Sequence, residues 1–188
     1  MKYFKKLIGE HVYLSPISVE DVERYTEWMN DFRTTDYLGR SSQIYTVENE
    51  KKWLEGSIED KLNQIFGIVS LENDKLIGNC GIHKINSKNR IATLGIFIGD
   101  KKERNKGYGL DTIKLLLDYG FNYLNLHEIQ LHVMSFNKRA IRCYEKAGFK
   151  QYGRRRECEY INGKYYDVIS MDILKSEFKD SYIKNKNI

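Results

Sequence analysis

A chain of 188 residues with 41% hydrophobic content is long enough for one domain with a real core and short for two. No apolar run approaches a membrane span, and the first ten residues lack the apolar centre of a signal peptide, so a cytoplasmic protein with no membrane partner is expected. Cys80, Cys143 and Cys158 are odd in number and widely spaced, and His11, His83, His127 and His132 show no ligand spacing, which excludes a disulfide framework and predicts no metal.

Val12–Pro16 reads as a first strand ended by its proline. Ser18-Val19-Glu20-Asp21 then reads as a capping box opening a helix, on which Val22, Tyr25, Trp28, Met29 and Phe32 make one apolar core stripe. Thr34–Tyr45 is loop-like. A second amphipathic helix follows around Val47–Ile58, with Trp53 and Leu54 inward. Three strand patterns come next, Gln64–Leu71, Leu76–Ile85 and Arg90–Ile98, joined by short polar turns that make antiparallel neighbours. An apolar-periodic helix carries Leu110, Ile113, Leu116, Leu117, Phe121 and Leu124, and leads to a strand at Glu128–Met134. A crossover of that length places the fifth strand parallel to the fourth. A helix with Ala140, Ile141, Tyr144 and Ala147 is stopped by Gly148. Two last strands, about Phe149–Glu157 and Lys164–Ile173, flank the hairpin signal Asn162-Gly163. The fold class is thus α/β (α+β), one domain over residues 1–178 with a mixed sheet of about seven strands, and residues 179–188 read as a polar tail.

The glycines Gly107 and Gly109 sit where the fourth strand hands over to its helix, after a charged run from Lys101 to Lys106. Glycines there let the backbone approach a ligand closely, and the free N–H groups of the first helical turn make an anion site. Arg104 and Lys106 add charge, so a phosphate is implied, most simply a pyrophosphate. A P-loop would need Gly-Lys-Ser/Thr after the glycines, where Tyr108-Gly109-Leu110 stands. A dinucleotide fingerprint would need a third glycine where Thr112 stands, and would belong to a first strand and helix. The net charge of +5 is polarised: residues 137–156 carry eight Lys/Arg against Glu145, whereas residues 18–60 carry eleven Asp/Glu against five Lys/Arg. The basic half is assigned to a phosphorylated cofactor and not to nucleic acid.

The spacing Arg104-x-x-Gly107-x-Gly109 resembles the acetyl-CoA pyrophosphate loop of the GNAT N-acetyltransferase superfamily. Asn137-Lys138-Arg139-Ala140, continuing to Tyr144 and Gly148-Phe149, is similar to a second block of that family, Asn-x-x-Ala-x-x-x-Tyr-x-x-x-Gly-Phe. Similarity runs from Val12 to Met171 and is greatest to the ribosomal-protein and spermidine N-acetyltransferase branch, notably at Asp118–His127.

The resemblance implies a sheet whose fourth and fifth strands splay apart, with the pantetheine arm of acetyl-CoA along Ile96, Phe97 and Ile98. Its pyrophosphate would lie on Arg104, Asn105, Lys106, Gly107, Tyr108 and Gly109. It implies further that Asn137 contacts pantetheine, that Arg142 and Lys146 meet the adenosine phosphates, and that Tyr144 is the general acid for the departing thiolate. Asn137 alone would read as a helix N-cap, and Tyr144 as a core tyrosine. Many members of the branch carry a glutamate base in Ala-Glu-Leu-Gly, where this chain has Ala92-Thr93-Leu94-Gly95. His83, on the neighbouring strand, is the nearby residue with a suitable ordinary pKa, so the base stays open between it and an unidentified group. The partners implied are acetyl-CoA and an amine acceptor, with room for a homodimer. A protein or peptide α-amine of the ribosomal-protein-alanine type leads over a polyamine or amino sugar, and a non-catalytic acyl-CoA-binding module is the remaining alternative.

Overall fold

The computed structural model describes residues 2–60, 62–179 and 181–185. Among them eight strands form one sheet: β1 (Leu7–Ile8), β2 (Val12–Pro16), β3 (Gln64–Ser70), β4 (Leu76–Asn86), β5 (Ile91–Ile98), β6 (Glu128–Met134), β7 (Lys150–Ile161) and β8 (Lys164–Leu174). Their spatial order is β1-β2-β3-β4-β5-β6-β8-β7. Leu7–Ile8 adds one strand to the seven expected by pairing with Leu14 and Tyr13, so the expected splay between fourth and fifth strands concerns β5 and β6. Five helices complete the chain: α1 (Val22–Met29), α2 (Phe32–Thr35), α3 (Val47–Glu59), α4 (Tyr108–Asn122) and α5 (Lys138–Lys146). No helix of the described residues is long and apolar enough to cross a membrane.

The sheet is buried on both faces, which is why its central strands read as nearly continuous apolar runs. Leu14, Ile68, Ile77 and Ile82 pack with Ile113, Leu116 and Leu117 of α4, while their strand neighbours Tyr13, Val69 and Leu76 pack with Tyr25, Trp28 and Leu54 on the other side. Each such side chain withdrawn from water contributes about 1.5–3 kcal/mol. Every neighbouring pair is antiparallel except β5 and β6, which α4 joins as a parallel pair. That parallel ladder has three rungs, Ile91–Glu128, Ala92–Ile129 and Thr93–Gln130, and stops. Beyond it β5 follows β4 to Ile98 and β6 follows β8 to Met134, so the two strands part in the middle of the sheet.

Several local expectations are corrected. The first helix ends at Met29, because Asn30 leaves the helical path and Asp31 caps a new helix through the Arg33 N–H; Phe32 therefore starts α2 and is 67% exposed. The Thr34–Tyr45 stretch accordingly begins inside α2 and continues through a single-turn helix at Asp36–Leu38. Ser18 accepts from the Glu20 N–H, but Asp21 does not complete a capping box: its buried carboxylate takes the Lys2 ammonium and the Tyr3 hydroxyl. Leu54 is buried, whereas Trp53 is 39% exposed at the rim of the Tyr25 ring. Residues 181–185 of the stretch read as a tail pack on the domain, with Ile183 in the core and the Tyr182 and Ile183 N–H groups donating to Asp118 at 2.6 and 2.8 Å. Residues 180 and 186–188 lie outside the described residues.

Asp111 of α4 performs the corresponding task at the other end of the chain. Its buried carboxylate accepts the N–H groups of Glu10, His11 and Val12 at 2.6 to 3.1 Å, fastening the β1–β2 turn to the helix that carries the glycines. Asp111→Ala orphans those donors and is expected to lower unfolding stability by about 3 kcal/mol, read as a reduced urea midpoint at an unchanged slope. A loss under about 1 kcal/mol would show that water satisfies the turn equally well.

Candidate active site

The parting of β5 and β6 opens a cleft of about 890 Å³, within the range of sites that enclose a ligand. One wall is Leu94–Ile98 and the other is His132–Met134. The glycine stretch and α5 line it as well, as do Arg33, Thr34, Tyr37 and Leu38 together with Arg155, Cys158 and Glu159 of β7. The sheet order brings these segments together: β8 lies between β6 and β7, and the turn at Gly39 rests on the Met134 methyl and the Glu159 carboxylate.

Gly107 is the N-cap of α4 with φ +86°, a left-handed conformation that glycine adopts without strain. The helix's own ladder begins with the Asp111 N–H on the Gly107 carbonyl at 3.1 Å, so the amides before it are free to bind an anion. A Cβ on Gly109 would meet nothing closer than the Cys143 sulfur at 3.8 Å. Protein packing therefore does not demand glycine there; open space in front of the helix end does.

Of the residues expected at the cofactor, Ile96, Phe97, Ile98, Arg104, Asn105, Gly107, Tyr108, Gly109, Asn137, Arg142 and Lys146 all line this cleft. Lys106 does not; its ammonium pairs with the buried Glu103 carboxylate at 2.8 Å. Arg104 lines the cleft, but its guanidinium is engaged by protein oxygens. Asn137 caps α5 by accepting the Ala140 N–H at 3.2 Å. Arg139, unforeseen, also lines the cleft and donates to the Asn105 side chain at 3.4 Å.

Tyr144 is buried on the inner face of α5, its ring edge-on to Phe149 at 5.9 Å. Its side chain lines the cleft, its hydroxyl makes no hydrogen bond among the described residues, and burial raises the phenol well above its ordinary pKa, so it stays protonated. Burial likewise raises the Cys143 thiol, which keeps it from thiolate chemistry. His83 lies outside the cleft. It sits opposite Thr93 with its ring over Gly81 and Gly95, and burial, followed by the Arg40 and Lys84 charges, lowers its pKa.

Two titratable groups that the sequence reading did not single out do line the cleft. His132 faces it from β6, its Nδ1 3.1 Å from the Ser170 hydroxyl, and burial followed by the Lys84 charge keeps its pKa low. Glu159 faces it from β7. Glu103 and Glu159 are the two carboxylates in the lining, and of these Glu159 has no ion pair among the described residues. None of the eleven Asp/Glu of residues 18–60 reaches the cleft wall, so their charge acts at a distance only.

A cleft that gathers free helix-end amides, several cations, a buried phenol and one carboxylate without an ion pair among the described residues suits group transfer from a phosphorylated carrier. The family model for the acetyltransferase (GNAT) domain matches residues 14–170. The chain is 32% identical over 178 residues to the Bacillus subtilis (strain 168) protein named "Probable N-acetyltransferase YjcK", covering 91% of this chain and 98% of that one. It is 38% identical over 121 residues to the spermidine N(1)-acetyltransferase of Vibrio cholerae, covering 64% of this chain and 69% of the other. The crystal structure of the Vibrio cholerae spermidine N-acetyltransferase in complex with CoA and spermine superposes with a TM-score of 0.82 at 29% identity, over 89% of this chain and 97% of that one. The chain thus belongs to the GNAT acetyltransferase family, and it is an acetyl-CoA-dependent N-acetyltransferase.

Proposed function

We propose that the acceptor is the α-amine of a protein or peptide, with Glu159 as its binding carboxylate and base and Tyr144 as the acid. In this reading pantetheine lies along Ile96–Ile98, the pyrophosphate rests on the amides at Gly107–Gly109, and Arg142 and Lys146 face the remaining phosphates. Glu159 takes the proton of the incoming ammonium. The amine lone pair then attacks the thioester carbon, the C–N bond forms, the C–S bond breaks, Tyr144 gives its proton to the thiolate, and the second proton leaving the nitrogen restores the tyrosine while Glu159 releases its own to solvent.

The observation that carries this choice is the single unpaired carboxylate in the lining. A polyamine brings three or four ammonium groups into a cleft whose lining already carries Arg33, Arg104, Arg139, Arg142, Lys146 and Arg155, and one carboxylate without an ion pair cannot balance them. Free energy points the same way: presenting a lysine-like amine of pKa about 10.4 neutral at pH 7 costs about 4.6 kcal/mol, and an α-amine of about 7.8 only about 1 kcal/mol. The likeness to spermidine acetyltransferases supports the second reading, a polyamine acceptor.

A thiol-release assay separates them. Peptides beginning with alanine or serine should exceed spermidine, and their N-acetylated counterparts, by about tenfold or more in kcat/KM. Glu159→Gln should lower kcat/KM on the peptide about a hundredfold while CoA affinity stays within about threefold. Preference for spermidine would reverse the assignment, and a full rate in Glu159→Gln would pass the role of base to His132.

A further inference from the structure

Arg104 opens the Arg-x-x-Gly-x-Gly pattern, and its place beside the anion site suggests a phosphate ligand. Its donors point elsewhere. Nε donates to the Ile98 carbonyl at 3.0 Å, Nη1 to the Arg33 carbonyl at 3.2 Å, and Nη2 to the Thr34 hydroxyl at 3.0 Å and the Gly99 carbonyl at 3.4 Å. Four of the five N–H groups of the fork are thereby used within the protein.

The four acceptors belong to two different walls. Ile98 ends and Gly99 follows the strand on which the carrier arm would lie, whereas Arg33 and Thr34 belong to α2, which runs on through Tyr37 and Leu38 to Gly39 beside Glu159, the carboxylate assigned above to the amine. Two other contacts seat the same walls on each other. Lys101 pairs with Asp31, the α2 cap, at 2.7 Å, and the Trp28 indole lies edge-on to Phe97 at 6.0 Å and against Gly99, where any Cβ would overlap it. Of these ties, Arg104 is the one that starts within the glycine loop itself.

We propose that Arg104 is a positioning residue that couples the loop at Gly107–Gly109 to the amine wall, and is not a ligand of the cofactor phosphates. Ordering of the loop by acetyl-CoA then orders α2, and by linkage an amine seated on α2 favours the ordered loop. A lysine cannot replace the fork, because one ammonium cannot span acceptors on both walls. The inference rests on acetyl transfer in this cleft and not on which amine is the acceptor.

Arg104→Met, Arg104→Lys and Thr34→Val test it, with CoA titrated calorimetrically into each protein. KM and kcat are measured at saturating acetyl-CoA with whichever amine gives the highest kcat/KM. In Arg104→Met the amine KM should rise about tenfold or more while the CoA Kd stays within about threefold. Arg104→Lys should fall between, and Thr34→Val, which removes one acceptor and keeps the shape, should raise the amine KM in the same sense. The double variant Arg104→Met/Thr34→Val should show less than the sum of the two effects. A CoA Kd weakened about tenfold with the amine KM unchanged would make Arg104 a phosphate ligand and overturn the proposal, as would additivity in the double variant. Should Arg104→Met not fold, Arg104→Lys and Thr34→Val decide by the same two measurements. An acceptor other than a peptide changes the amine used and leaves both measurements intact.

Discussion

Gly109→Val is expected to weaken CoA binding about a hundredfold, roughly 2.7 kcal/mol, while the protein melts within a few degrees of the wild-type temperature. The two effects differ because they arise in different places. In the free protein a Cβ at this position meets only the Cys143 sulfur at 3.8 Å, an ordinary contact, and valine and glycine differ in helix propensity by less than about 1 kcal/mol. With the pyrophosphate on the amides at Gly107–Gly109, the branched side chain would stand between those amides and the phosphate, and each charge-assisted hydrogen bond lost removes about 1.5–3 kcal/mol. Gly107→Val should lose CoA as completely, but with a lower melting temperature, because a β-branched residue at φ +86° is strained. Calorimetric titration beside a thermal melt reads both quantities. CoA affinity within about threefold of wild type in a folded Gly109→Val protein would remove the pyrophosphate from this helix end.

Tyr144→Phe should cut turnover about a hundredfold, near 2.7 kcal/mol of barrier, with CoA affinity and melting temperature close to wild type. The structural half of that expectation rests on the hydroxyl, which makes no hydrogen bond among the described residues, so its removal breaks none and leaves the ring against Phe149. The chemical half rests on its protonation. Burial raises the phenol above its ordinary value, so the donor form persists through the whole assay range and falls away only at strongly alkaline pH. A structural tyrosine would give the reverse, with wild-type turnover and a lower melting temperature. Burst kinetics would check that the loss lies in chemistry and not in product release.

What the sequence disclosed and what it hid follow from how far each feature reaches along the chain. The glycine loop and the Asn137–Tyr144 helix are local: conformation and cap are decided within a few residues, so spacing alone identifies them. The strands were legible to within a few residues at each end, since alternation and turn residues act at short range; Asn162 and Gly163 both take the positive φ their turn demands. Glu159 was hidden because its place depends on β8 lying between β6 and β7, a matter of sheet order, and on Gly39 folding over from more than a hundred residues away. His132 was hidden for a related reason. Alternation on β6 marks it as facing away from the α4 core, but only the loss of pairing after Gln130 turns that side into a cleft. The bonds that tie Arg104 to α2 were hidden because those acceptors lie about seventy residues upstream. Phe32 was misplaced by a periodicity that ran across the Asn30–Asp31 break as though the helix were continuous.

The three-rung ladder between β5 and β6 has a consequence for how the molecule is vulnerable. Proteins place unpaired strand edges at the rim of a sheet, where charge, proline or a covering loop keeps other strands from adding to them. Here the parting after Thr93 and Gln130 creates two such edges in the interior, mostly apolar and flanked by strands that cannot close up, because β4 and β8 hold each in register. A filled cleft is then also a sealed seam. The same opening that admits a carrier arm leaves two backbone rows unpaired in mid-sheet, and a bound carrier arm would cover them.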